Sequence, residues 1–219
     1  RPPRMDRTLF FLINSEWTSP GLDRFMAIVT DFNVWLWPTI VLIVLVSIKG
    51  GFRARAFVII ATLAVAVNDG IIARTLKRIT DRPRPHQMLN DVRQIELARG
   101  RIGWLAVAKP LRIKMSRAAT GRVDGRSFPS SHTMNAFAVA IVCTIFYRRR
   151  AWPAFIAAFL VGYSRIYTGS HWPSDVLISM VISTGTTFFV VALCEALWPL
   201  LAQRAAPQLL VRHPTLLPR

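Results

Sequence analysis

The chain has 219 residues, the length of one ordinary domain, and carries 28 Lys and Arg against 11 Asp and Glu, a formal net charge of +17. Yet 53% of its residues are hydrophobic, only 18% are charged, and 13 Phe and 7 Trp are present. That balance excludes a disordered basic tail and argues against a soluble nucleic-acid binder; it fits an integral membrane protein with basic loops.

In chain order, residues 9–13 read as a short interfacial piece, with no cleavable signal-peptide pattern before them. Ser19-Pro20 is a helix start, with Pro at the first helical position. Leu22, Phe25, Met26 and Val29 then recur at helical spacing opposite Asp23, Arg24 and Thr30, which predicts an amphipathic interfacial helix within segment 1–33. Five apolar runs follow, at 34–48, 56–73, 133–147, 151–163 (continuing toward Tyr167) and 176–202. A spanning helix needs roughly 20 residues, which the second and fifth approach alone and the others approach through flanking aromatics and Arg. The predicted fold class is therefore all-α: one polytopic transmembrane bundle of about five spans over residues 1–219, with the N-terminal helix in the interface. Asn68 and Asp69 fall inside the second run and read as structural, pairing with Arg74 or a neighbouring helix. Residues 77–126 form the only long polar segment and read as one extramembrane loop leading to the third run at about 130. Cys143 and Cys194 sit in apolar runs and read as small buried hydrophobes, without a disulfide or zinc site.

With five spans, the loop 77–130 and the turn 164–175 share one side of the membrane, and three polar clusters lie there. Lys77 and Arg82-Pro83-Arg84-Pro85 end the second run, Pro129-Ser130-Ser131-His132 opens the third, and Ser164-Arg165, His171 and Asp175 lie between the fourth and fifth. Ser130 and Ser131 would cap a helix whose free N–H groups and positive dipole make an anion site. Lys77, Arg84 and Arg165 add fixed positive charge suited to phosphate oxygens. Asp175 follows His171 by four residues, with Pro173 as first helical residue, so its carboxylate can fold back and orient one ring nitrogen while the other acts as nucleophile. His132 can give a proton to the leaving oxygen. This set suits phosphoryl transfer through a phosphohistidine. The carboxylates on that side, Asp81, Asp91, Glu96, Asp124 and Asp175, are scattered, so neither a metal nor another cofactor is expected.

Lys77-x6-Arg84-Pro85, Pro129-Ser130-Ser131-His132 and Ser164-Arg165-x5-His171-x3-Asp175 resemble, in order and spacing, the three signature motifs of the type 2 phosphatidic acid phosphatase (PAP2) superfamily. The resemblance implies a metal-independent membrane lipid phosphatase, with His171 the nucleophile, Asp175 its partner and His132 the acid. Lys77, Arg84, Ser130, Ser131 and Arg165 would bind the phosphate. The second motif usually reads Pro-Ser-Gly-His; Ser131 stands in place of the Gly and keeps its backbone N–H. Resemblance to small bacterial members makes undecaprenyl pyrophosphate the first expected substrate, ahead of phosphatidylglycerol phosphate, phosphatidate and the phosphates of lipid A. A phosphotransferase using the same site, or a non-catalytic phospholipid-binding or transport protein, are the alternatives. The expected partners are thus a lipid phosphate and membrane lipids.

Sidedness turns on two opposing counts. The segment 77–126 holds 13 basic and 4 acidic residues, which by raw positive charge would be cytoplasmic. The short loops carry Lys49, Arg53, Arg55 and Arg148-Arg149-Arg150, where the positive-inside rule is most dependable. They place the site on the periplasmic or outer face of a bacterial inner membrane, as the resemblance also implies.

Overall fold

The computed structural model describes residues 3–98, 103–121 and 125–218, with the side chains of 103, 104 and 106 set aside. Asp124 lies outside the described residues. Helices dominate, as expected where long apolar runs must satisfy their own backbone in lipid. In order they are α1 (Arg4–Phe11, continued by a π turn at Leu12–Glu16), α2 (Pro20–Thr30), α3 (Phe32–Lys49) and α4 (Phe52–Ala66). Through a π turn at Val67–Ala73, α4 runs on into α5 (Arg74–Thr80), followed by the short α6 (Pro85–Met88). Then come α7 (Ser131–Tyr147), α8 (Trp152–Tyr167), α9 (Pro173–Ala205) and α10 (Pro207–Arg212). Among the described residues three helical stretches are long and apolar enough to cross a membrane: Phe32–Lys49, Phe52–Met88 and Pro173–Ala205. The other two predicted spans, α7 and α8, have 17 and 16 residues and lie against them.

Small residues let these helices approach closely. Ala61 and Ala64 of α4, Ala138 and Val142 of α7 and Val190 and Val191 of α9 share one buried cluster. Gly162 of α8 meets Val176 and Met180 of α9 so closely that an added Cβ would lie 3.0 and 3.1 Å from their side chains. Outward, Leu42, Val181 and Phe189 are exposed and apolar, as a lipid-facing surface requires. Asn68 is fully buried and bonds across to α9, accepting from Thr186 Oγ1 at 2.6 Å and donating to Thr187 Oγ1 at 3.4 Å. The neighbouring-helix reading therefore holds for Asn68. Asp69 is exposed, and no ion pair joins it to Arg74 among the described residues.

Three expectations need correction. First, the second helix does not stop near Ala73: it continues to Thr80, which puts Lys77 on a helix instead of in a loop. Second, the predicted loop contains an antiparallel hairpin, β1 (Arg93–Leu97) with β2 (Leu111–Met115), in the register Ile95↔Ile113. Its period-two alternation turns Ile95 and Leu97 inward onto Met26 and Tyr167. Third, the polar face of α2 is turned to solvent only in part: Arg24 is exposed, but Asp23 is not. Asp23 is buried, pairs with Arg93 at 2.6 Å and accepts from Tyr167 Oη at 2.6 Å, while Phe25 is exposed. The N-terminal segment is thus fastened to the hairpin and to the end of α8. Asn14 completes the join, donating to the Arg93 and Tyr167 carbonyls and accepting from Arg93 N–H.

Candidate active site

The third motif is a tight turn between α8 and α9. Gly169 holds φ +74°, and an added Cβ there would come within 2.7 Å of the Arg93 carbonyl, so both conformation and space call for glycine. The Ser170 and His171 N–H groups then fold back onto the Arg165 carbonyl at 3.0 and 3.1 Å. Pro173 starts α9 as predicted, and Asp175, in the first turn, accepts from the Trp172 N–H at 3.0 Å.

His171 is buried, and its Nδ1 lies 2.5 Å from the Ser127 carbonyl oxygen. A carbonyl can only accept, so the proton sits on Nδ1 and the lone pair on Nε2. Burial pushes the imidazole pKa down to about 4; the charges of Arg165 and Arg84 act in the same direction and Asp175 opposes them. The neutral, nucleophilic form therefore persists well below the ordinary histidine value. In labelled protein with only four histidines, the His171 ring signal, assigned by its loss in His171→Ala, is expected to stay neutral on acidification until about pH 4. A midpoint near 6.5 would contradict the buried, cation-flanked setting.

The way this ring is oriented differs from expectation. Asp175 Oδ2 stands 3.9 Å from Nδ1, within ion-pair range but beyond a hydrogen bond. Instead, Asp175 accepts from Ser127 Oγ at 2.5 Å and from Arg82 Nη1 at 2.6 Å. Ser127 thus stands between the two: its hydroxyl is held by the acid and its carbonyl holds the histidine. It is brought there by its own N–H, which bonds the Arg82 carbonyl at 2.9 Å, and by Gly125, whose N–H bonds Asp81 Oδ1 at 2.8 Å.

Around the histidine the predicted cations converge. His132, in the first turn of α7, lies within electrostatic range of Arg165, His171, Lys77 and Arg84. Lys77 Nζ donates to Ser131 Oγ at 2.6 Å, a bond that glycine at this position could not make. Ser130 occupies the N-cap position of α7, but its side chain makes no cap hydrogen bond, contrary to expectation. Its hydroxyl accepts from Thr133 Oγ1 at 2.9 Å, and its N–H donates to Ser179 Oγ at 2.8 Å. The first-turn N–H groups of Ser131 and His132 are the donors this terminus can offer an anion. Arg165 is held by Thr30 Oγ1 at the α2–α3 junction. All eight predicted residues come together at one end of the bundle. At the opposite end Arg53 lies over the Tyr147 ring, 5.3 Å from its centroid, next to Arg148.

Several contributors were not singled out from sequence. Ser127 and Thr30 belong to none of the three clusters, and Arg126 acts electrostatically on both Lys77 and Arg84. Trp172 is fully buried and donates from Nε1 to the Pro83 carbonyl at 2.9 Å. His86 Nδ1 donates to the Gly169 carbonyl at 3.1 Å. It lines a cleft of about 540 Å³ shared by Arg84, Arg165, Gln94, Glu96 and Lys114.

The PAP2 superfamily model matches residues 55–199 of this chain. The undecaprenyl-diphosphatase BcrC of Bacillus subtilis (strain 168) is 45% identical over 65 residues, 29% of this chain and 34% of that protein. That match spans about a third of the relative's length. The lipid A 4'-phosphatase of Bacteroides thetaiotaomicron is 26% identical over 181 residues, 80% of this chain and 71% of the relative. Among solved structures, Aquifex aeolicus LpxE superposes with a TM-score of 0.62 at 25% identity, over 87% of this chain and 96% of that one.

Proposed function

The chain belongs to the PAP2 superfamily, and from that premise we propose that it is a membrane lipid phosphatase working through a phosphohistidine at His171. The observation that carries this reading is the buried imidazole whose Nδ1 is committed to the Ser127 carbonyl, leaving Nε2 as the nucleophilic nitrogen. That nitrogen attacks phosphorus, and the bond to the leaving oxygen breaks as His132, which takes up a proton when the phosphate anion binds beside it, passes that proton to the oxygen. Water then cleaves the N–P bond, with His132 accepting its proton. Lys77, Arg84, Arg165 and the Ser131 and His132 N–H groups hold the phosphoryl oxygens, and Ser130 shapes the terminus that presents them. The fixed cations of the chain neutralise the transferring group, so no metal enters the scheme.

Undecaprenyl pyrophosphate is the first substrate of this proposal, on the strength of the segment shared with the Bacillus diphosphatase. A phosphate on a lipid A headgroup is the second reading, supported by the longer likeness to a lipid A phosphatase and by the polar cleft beside Arg84 and Arg165. Detergent-purified protein assayed on both lipids in excess EDTA tests the whole scheme. Phosphate release should persist with the chelator and be blocked by vanadate, and the preferred lipid separates the two readings. Activity that is lost in EDTA and restored by Mg²⁺ would overturn the mechanism.

In the same reading the chain has five spans and the site faces the periplasm or the outside of the inner membrane, which the basic short loops around Arg53 and Arg149 support. In a background lacking Cys143 and Cys194, Lys114→Cys on exposed β2 should react with an impermeant thiol reagent added to intact cells. Arg149→Cys, at the other end, should not. The reverse pattern would mean that the mass of positive charge in the 77–126 segment sets the topology.

A further inference from the structure

The helix farthest from the motifs in sequence reaches the catalytic centre. Asp6, on α1, is buried and accepts from Arg82 Nη2 at 2.7 Å, from Ser174 N–H at 2.9 Å and from Ser174 Oγ at 2.7 Å. The other arm of Arg82 donates to Asp175 Oδ1 at 2.6 Å and to Ser174 Oγ at 3.0 Å. A single guanidinium is therefore stretched between two buried carboxylates, one on the N-terminal helix and one behind the nucleophile. Phe10, one turn along α1 and wholly buried, packs on Trp172 with ring centroids 5.5 Å apart and fixes the helix over this point.

Two consequences follow from this arrangement. The planar fork of Arg82 is held at both ends, so Asp175 is fixed in position and its second oxygen is directed to Ser127 and the Trp172 N–H. Charge matters as well. Arg82 and Asp175 alone would form a neutral pair; with Asp6 the trio carries one net negative charge. That charge lies against the ring that becomes positive when His171 takes the phosphoryl group. Lysine, with one ammonium, cannot bridge both carboxylates in this way.

We propose that Asp6 is a positioning residue for the reaction, acting through Arg82 on Asp175 and so on His171. The inference rests on His171 being the nucleophile. A rate cycle on wild type, Asp6→Asn, Arg82→Lys and the double variant tests it, with trapped phosphohistidine measured alongside. Asparagine keeps an oxygen for the Ser174 N–H but cannot serve Arg82 as a carboxylate does. Each single variant should lower kcat roughly tenfold with KM changed less than twofold, in line with the sensitivity of such reactions to small misplacements. The double variant should be no slower than Arg82→Lys alone, because both substitutions cut the same connection. Asp6→Glu, which restores the carboxylate, should recover to within about threefold of wild type, and it carries the test if Asp6→Asn fails to fold. Multiplicative losses, a rise in KM alone, or Asp6→Asn at the wild-type rate would overturn the proposal. Absence of phosphohistidine in wild type would instead remove the nucleophile assignment, while the kcat cycle still reads whether Asp6 acts through Arg82.

Discussion

His171→Ala should form no phosphoenzyme and turn over no substrate, whatever the leaving group, because the ring nitrogen proposed to attack phosphorus is gone. His132→Ala should behave differently. An acid is needed in proportion to the basicity of the leaving oxygen, so its loss falls heavily on an alkyl lipid monophosphate and lightly on an activated aryl phosphate. General acid–base help contributes about 10²–10⁴-fold, and that whole range should be visible between the two substrates. Rapid-quench trapping of acid-labile, base-stable phosphohistidine supplies the direct readout: wild type and, on the aryl substrate, His132→Ala should form it. Asp175→Asn should lie between the two histidine variants, since the nucleophile survives while its electrostatic support weakens. Ser127 tempers that expectation. It holds His171 with a backbone carbonyl, which no side-chain substitution removes, so ring orientation should outlast the loss of Asp175. Equal losses for His132→Ala on both substrates, or normal phosphoenzyme in His171→Ala, would reassign these roles.

The residues proposed to meet the phosphate were legible because chemistry restricts them to few types. Two His, one Asp and three cations in fixed order, each beside the end of an apolar run, leave little freedom, and parity alone put 77–130 and 164–175 on one side. What supports these residues was less legible. Ser127 works through its carbonyl, which every residue possesses, so nothing in its identity marks it. Asp6 lies 169 residues from Asp175, and only the fold brings one guanidinium to both. The polar face of α2 misled because helical periodicity gives the face but not what covers it: Asp23 is met by Arg93 and Tyr167 instead of water. The hairpin did carry a signal, since Arg93-Gln94-Ile95-Glu96-Leu97 and Leu111-Arg112-Ile113-Lys114-Met115 both alternate, but a long basic segment invites the simpler reading of a loop. Lys77 was placed one element too far along for a similar reason. Apolar periodicity fades after Ala73, while the helix itself continues for two more turns of polar residues.

Arg165 offers the sharpest separation of function from stability. Its Nε is buried without a hydrogen-bond partner, and no carboxylate pairs with its guanidinium, in both cases among the described residues. Among the described residues Thr30 is its one side-chain hydrogen-bond partner. An unpaired cation with buried atoms costs solvation that the protein by itself does not return. Arg165→Met should therefore melt higher than wild type without ligand, by the low end of the 1–4 kcal/mol range for exchanging a buried ionic group for an apolar one, about 1 kcal/mol because the cleft reaches the guanidinium. For a chain of this length that is a rise of roughly 2–4 °C in Tm. The same variant should lose about 10²–10³-fold in kcat/KM, the scale of one lost donor to a developing anionic charge. Arg165→Lys, which keeps the charge but not the two-pronged geometry, should fall between them. Vanadate should reverse the order of stability. At 100 times its Kd an anion stabilises the protein that binds it by about 2.7 kcal/mol, so wild type should overtake Arg165→Met. If Arg165→Met melted lower in the absence of any anion, the guanidinium would be holding the α2–α3 junction through Thr30, and its place in the phosphate cradle would have to be given to Arg84 and Lys77 alone.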